Sequence, residues 1–128
     1  MKVNKSIDAL SSVFNFTYQA LDPMDVDYKL FKDGVVSAYA EVVQRNRNIR
    51  NAYPLFISAR KLMKLIDKRI TGYIIWACDD GIIYAKADEL VGEIKWGELP
   101  PPENINNMDM VIFYEKQKPM RYIRFTFT

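Results

Sequence analysis

Apolar positions return at two periods along this chain, and the change of period marks its elements. From Ser6 to Leu21 they recur mostly three and four residues apart (Ile7, Leu10, Val13, Phe14, Phe16, Tyr18 and Leu21), which predicts a helix with one broad apolar face. Ser6 is a candidate N-cap and Asp8 sits in the first turn. Asp22-Pro23 ends the helix, because a residue before proline is pushed out of the helical region. The period then drops to two. Asp25 to Lys32 alternates with Val26, Tyr28 and Leu30 on one face, Asp33-Gly34 signals a turn, and Val35 to Gln44 reads as the return strand. Residues 45–52, RNRNIRNA, carry no period and read as a basic loop, followed by a short extended piece from Tyr53 to Ile57.

The helical period resumes at Ser58, a plausible cap, and runs to Arg69 with Leu62, Leu65 and Ile66 on one face. Lys61, Lys64 and Lys68 share the other side. Tyr73 to Cys78 is a continuous apolar run, as in a central strand buried on both faces. Asp79-Asp80-Gly81 turns it into Ile82 to Lys86, and Ala87 to Trp96 fits neither period clearly. The stretch from Gly97 to Asn107, with Pro100-Pro101-Pro102, reads as a surface loop. Met110–Glu115 and Met120–Phe127 are expected to pair with each other around Gln117-Lys118-Pro119. The element order predicts one α/β (α+β) domain over residues 1–128, a mixed sheet flanked by helices with an added C-terminal strand pair.

Composition removes several chemistries. The 128 residues include no histidine and one cysteine, Cys78, so Ser-His-Asp and Cys-His catalysis, thiolate zinc sites and internal disulfides are excluded. Catalysis would have to run on carboxylates, Lys, Arg, Tyr or a carboxylate-bound hard metal. The first ten residues lack the apolar core of a signal peptide, and no apolar run approaches the ~20 residues of a membrane span. A cytoplasmic setting is therefore expected. Net charge is only +2, but it is unevenly placed. Residues 45–69 carry eight basic residues and one acid, whereas residues 79–115 carry nine acids and two lysines. Such asymmetry suits one face to an anionic partner, and it equally suits an exposed basic helix and loop.

The hairpin holds the candidate chemistry. A three-residue loop over Asp33 to Val35 would place Asp27 opposite Glu41, on one face and about 5 Å apart at Cβ. Carboxylates that close raise one another's pKa unless a cation lies between them, and Mg²⁺ or Mn²⁺ suits oxygen donors. A two-residue loop would shift this register. The same residues also suit a solvated pair of strand side chains.

Residues 27–34, DYKLFKDG, followed by residues 38–45, AYAEVVQR, resemble the PD-(D/E)XK nuclease superfamily, in particular its small phage-encoded members. The resemblance continues through residues 53–61, YPLFISARK, and residues 72–77, GYIIWA, with residues 80–84, DGIIY, so that it covers residues 25–86. It implies a restriction-endonuclease-like core and metal-dependent hydrolysis of DNA. It also implies metal ligands at Asp27, Glu41 and the Val42 carbonyl, and a cytoplasmic location in the phage host. The family's lysine falls on Val43. Lys61, on the second helix, or Arg45 would then supply the missing cation by electrostatic stabilisation. Arg45, Arg47 and Arg50, with Lys61 and Lys64, are the expected phosphate contacts. Tyr39 and Trp76 are aromatics able to stack on bases, although strand aromatics also serve as core. The alternative is a nuclease scaffold without catalysis that binds nucleic acid or a host protein.

Overall fold

The computed structural model describes residues 2–99, 103 and 109–125, and its elements form three layers. The first is helix α1 (Lys2–Phe14). The second is a six-stranded sheet of β1 (Thr17–Ala20), β2 (Tyr28–Lys32), β3 (Val35–Gln44), β5 (Gly72–Ala77), β6 (Gly81–Lys86) and β9 (Arg121–Arg124), in the order β1-β2-β3-β5-β6-β9. The third combines helix α2 (Ala59–Asp67) with a small sheet of β4 (Leu55–Ser58), β8 (Asp109–Tyr114) and β7 (Glu93–Gly97), in the order β4-β8-β7. Among the described strands only β3 and β5 pair in parallel. The mixed α/β class is the one the element order predicts.

Period-two alternation divides the large sheet between two cores. Ala38, Ala40 and Val42 of β3, with Tyr73, Ile75 and Ala77 of β5, pack with Ile7 and Leu10 of α1. The alternate residues Val43, Ile74 and Trp76 pack with Leu65 of α2 and with Phe56, Ile57, Val111 and Ile112 of the small sheet. Because β5 is covered on both faces, its sequence is a continuous apolar run rather than an alternating one.

Three expectations are corrected. The first helix stops at Phe14 rather than Leu21, because Asn15 adopts φ 57° and Thr17–Ala20 then pairs with β2 as an edge strand. Ser6 is not a cap; it lies inside α1 and is fully buried. The two C-terminal segments do not pair with each other: β8 joins the small sheet between β4 and β7, and β9 pairs with β6. The undecided stretch after Lys86 becomes a single 3-10 turn, Ala87–Glu89, and then β7. Within the expected proline loop, only Gly97–Leu99 and Glu103 fall inside the described residues.

The turn from β5 to β6 needs its glycine for room. A Cβ on Gly81 would lie 2.2 Å from the Ile123 carbonyl oxygen and 2.8 Å from the Arg124 Cα, both backbone atoms that cannot rotate away. Gly81→Ala is expected to separate β9 from β6 and to cost about 1–3 kcal/mol, read from chemical denaturation. An unchanged denaturation midpoint would show that this contact is unimportant.

Candidate functional site

The site forms where β3 outruns its partner. Asp33 (φ 53°) and Gly34 (φ 77°) make a two-residue turn, so Lys32 pairs with Val35 rather than with Val36. A register shift between Leu30 and Phe31 follows, after which Leu30 pairs with Ala38 and Tyr28 with Ala40. The turn is one residue shorter than expected, and the bulge restores that residue. Asp27 therefore comes opposite Glu41 by a different route from the one anticipated.

The ladder with β2 ends at Tyr28–Ala40, and β3 continues to Gln44. The amides of Tyr39 and Arg45 turn toward β5 and its flanks, donating to the carbonyls of Thr71 and Ala77. Those of Val42 and Gln44 face the other way, past the end of β2, where side chains meet them. The Val42 N–H donates to Asp27 Oδ2 at 2.7 Å, and the Gln44 N–H donates to Glu103 Oε2 at 3.1 Å. The Asp27 N–H in turn donates to Glu41 Oε1 at 2.7 Å. Asp27 sits at a bend, and this changes the side on which the chain is buried. Val26 joins the core beneath α2 and the small sheet, whereas Tyr28 and Leu30 join the α1 side, so the three do not share one face as expected.

Helix α2 completes the arrangement. Ser58 caps it as expected, its hydroxyl accepting from the Lys61 N–H. Its lysine stripe, read from sequence as the side away from the apolar face, lies against the acids. Lys61 Nζ donates to the Val42 carbonyl at 3.3 Å and to Glu103 Oε1 at 3.1 Å. Lys68 Nζ meets Asp25 Oδ1 at 2.7 Å, which holds the Asp25 carboxyl below its ordinary value. Lys64 is near enough to act electrostatically on both Asp25 and Glu41.

Glu41 is the electrostatically strained member. It is 2% exposed, and burial first, then the Asp27 charge, push its carboxyl up to about 7, against the weaker opposing pull of Lys61. Each acid of the pair has one oxygen engaged by a backbone N–H, and the Val42 carbonyl opens on the same side of β3. These are hard oxygen donors, the kind a divalent cation takes, and the positive charges already beside them are the Lys61 ammonium on the Val42 carbonyl and, farther off, Lys64. Among the described residues no three His, Cys, Asp or Glu side chains gather closely enough to hold a metal. A cation here would rest on two carboxylates, a carbonyl and water.

The other predicted residues are placed as follows. Val43, where the family's lysine falls, is 1% exposed and belongs to the core. Arg45 does not present its charge to solvent: it is 7% exposed, its Nε donates to the Ala52 carbonyl, and its guanidinium lies 5.2 Å from the centre of the Phe56 ring. Burial draws its pKa below the ordinary arginine value. Arg47 and Arg50 are exposed on the loop that Arg45 closes. Trp76 is core, and Tyr39 is half-buried beneath the Lys68 ammonium. Glu103 was not anticipated, since nothing in a proline-rich stretch signals contact with a residue so far back in the chain. No helix among the described residues is long and apolar enough to cross a membrane. No protein-family model, curated protein or solved structure matches the chain.

Proposed function

We propose that this chain is a PD-(D/E)XK-like, metal-dependent phosphodiesterase acting on DNA, with Lys61 in the role that Val43 cannot fill. The observation that carries this reading is the approach of Lys61 Nζ to 3.3 Å from the Val42 carbonyl, beside the Asp27–Glu41 pair. Asp27, Glu41 and the Val42 carbonyl would hold Mg²⁺ or Mn²⁺. That cation would polarise the phosphate and lower the pKa of a bound water. Lys61 places a fixed positive charge where negative charge builds on the phosphate. Glu103 holds the ammonium at that position, and Ser58 fixes the helix turn that bears it. Arg47 and Arg50 supply sequence-independent phosphate contacts beyond the end of β3.

Labelled single-stranded, double-stranded and branched DNA with Mn²⁺ or Mg²⁺ tests the reading. Metal-dependent cutting is expected, and Lys61→Ala should lower its rate by about 10²-fold. Lys64→Ala, which leaves the Val42 contact intact, should have a much smaller effect. If the parent chain cuts none of the substrates, the catalytic reading is wrong, and the scaffold is better described as a binder of nucleic acid or of a host protein.

A further inference from the structure

We propose that β7 is the contact edge of a homodimer, pairing antiparallel with β7 of a second copy about a two-fold axis at Ile94. In the sheet order β4-β8-β7 this strand is an edge, with no further strand beside it among the described residues. Like the edge strand β1, it is exposed along most of its length. Glu93 to Trp96 are all exposed, with Ile94 at 61% and Trp96 at 64%. The opposite edge of the same sheet, β4, is buried throughout.

The outward amides can be assigned. The Gln117 side chain donates to the carbonyls of Val91 and Glu115, and it accepts from the Val91 N–H, so it lies between those two residues, on the β8 side. Alternation then turns the amides of Gly92, Ile94 and Trp96 away from β8, toward the outer edge of the sheet.

Charge selects a second copy as the occupant. The segment Glu93-Ile94-Lys95 is self-complementary. In an antiparallel pair centred on Ile94, Glu93 of each copy stands opposite Lys95 of the other, on one face. Within one chain these two side chains already approach at 3.4 Å, both more than half exposed. On the other face Ile94 meets its own copy, and Trp96 lies opposite Gly92, which offers no side chain to obstruct the ring. The remaining edges lack this match. β9 centred on itself would set Arg121 against Arg124, and β1 carries no charge at all. A lone edge lysine normally discourages pairing, but in this register Lys95 finds an acid. Backbone pairing and the apolar face would supply the affinity, while the charges fix the register, since exposed ion pairs add little by themselves.

Sedimentation velocity of the parent chain from roughly 1 μM to roughly 200 μM should show a concentration-dependent dimer. Glu93→Lys or Lys95→Glu alone turns both cross-strand pairs repulsive and should weaken the dimer by about tenfold or more. The double reversal restores opposite charges and should return the affinity to within about threefold of the parent. A parent that stays monomeric overturns the proposal. So does a dimer unmoved by the single reversals, or one that the double reversal fails to restore. None of these readings involves DNA or a metal, so they stand apart from the fate of the nuclease proposal.

Discussion

Glu41→Gln is expected to abolish metal-dependent cleavage and, in the same protein, to raise its metal-free stability at pH 7.5. Both effects come from the position of one carboxylate. Glu41 is buried beside Asp27, and its pKa of about 7 stands well above its ordinary value of 4.5. The folded protein therefore holds this proton more tightly than the unfolded chain does. The stability it contributes is fully present below pH ~4.5 and is lost as the pH climbs through 7. A gap of this size corresponds to about 3 kcal/mol. Glutamine keeps an oxygen to accept the Asp27 N–H and carries no charge, so the variant escapes that loss. Its metal-free advantage should be about 2 kcal/mol at pH 7.5 and should vanish near pH 4.5. Millimolar Mg²⁺ or Mn²⁺ should raise the melting temperature of the parent at pH 7.5 and leave the variant unmoved, since only the parent gains a ligand. Cleavage should fall by about 10³-fold or more, because the acid proposed to hold the cation is gone. A variant less stable than the parent at pH 7.5, or one that still cuts, would sink this account of the site.

The largest stability effect is expected at Trp76→Ala. Trp76 is fully buried on β5, between the large sheet and the small one. Its Nε1 donates to the Phe56 carbonyl of β4 at 2.7 Å, and its ring meets the Tyr114 ring of β8 edge-on at 5.8 Å. One side chain thus joins three strands of two sheets. Truncation leaves a cavity and removes the donor to a buried carbonyl, at a cost of about 3–5 kcal/mol. Trp76→Phe keeps most of the volume and should cost less, which separates the hydrogen bond from the packing. Urea denaturation followed by circular dichroism reads both. A loss under about 1 kcal/mol for the alanine variant would mean that the sheets are held together elsewhere.

What was legible in the sequence follows from locality. The hairpin, the second helix and the β5–β6 pair each carry their own period and their own turn residues, so a short window suffices for them. The helical spacing after Val13 misled because Phe16, Tyr18 and Leu21 happen to continue it, while Asn15, a residue that tolerates a left-handed backbone, marked the real stop. The C-terminal pair misled because Gln117-Lys118-Pro119 looks like a hairpin turn, and which sheet a strand joins is decided by distant partners. The Asp27–Glu41 pair was legible because both acids lie within one hairpin. The setting of Lys61 was only half legible. Its helix and face could be read, but not that the face turns toward buried acids. Arg45 shows the limit most clearly, since a cation in a basic loop reads as exposed until its carbonyl partner is seen.

The order in which the chain visits its two sheets bears on how it folds. It leaves the large sheet after β3 to place β4, returns for β5 and β6, departs again for β7 and β8, and comes back for β9. Neither sheet is a contiguous stretch of sequence, and each forms part of the floor on which the other packs. A fragment that lacks α1 at one end or β8 and β9 at the other leaves a core face uncovered. The two sheets therefore lack separate melting transitions and should be lost together as one cooperative unit. The long closures that β3–β5, β4–β8 and β6–β9 require place this chain among the slower folders of its length.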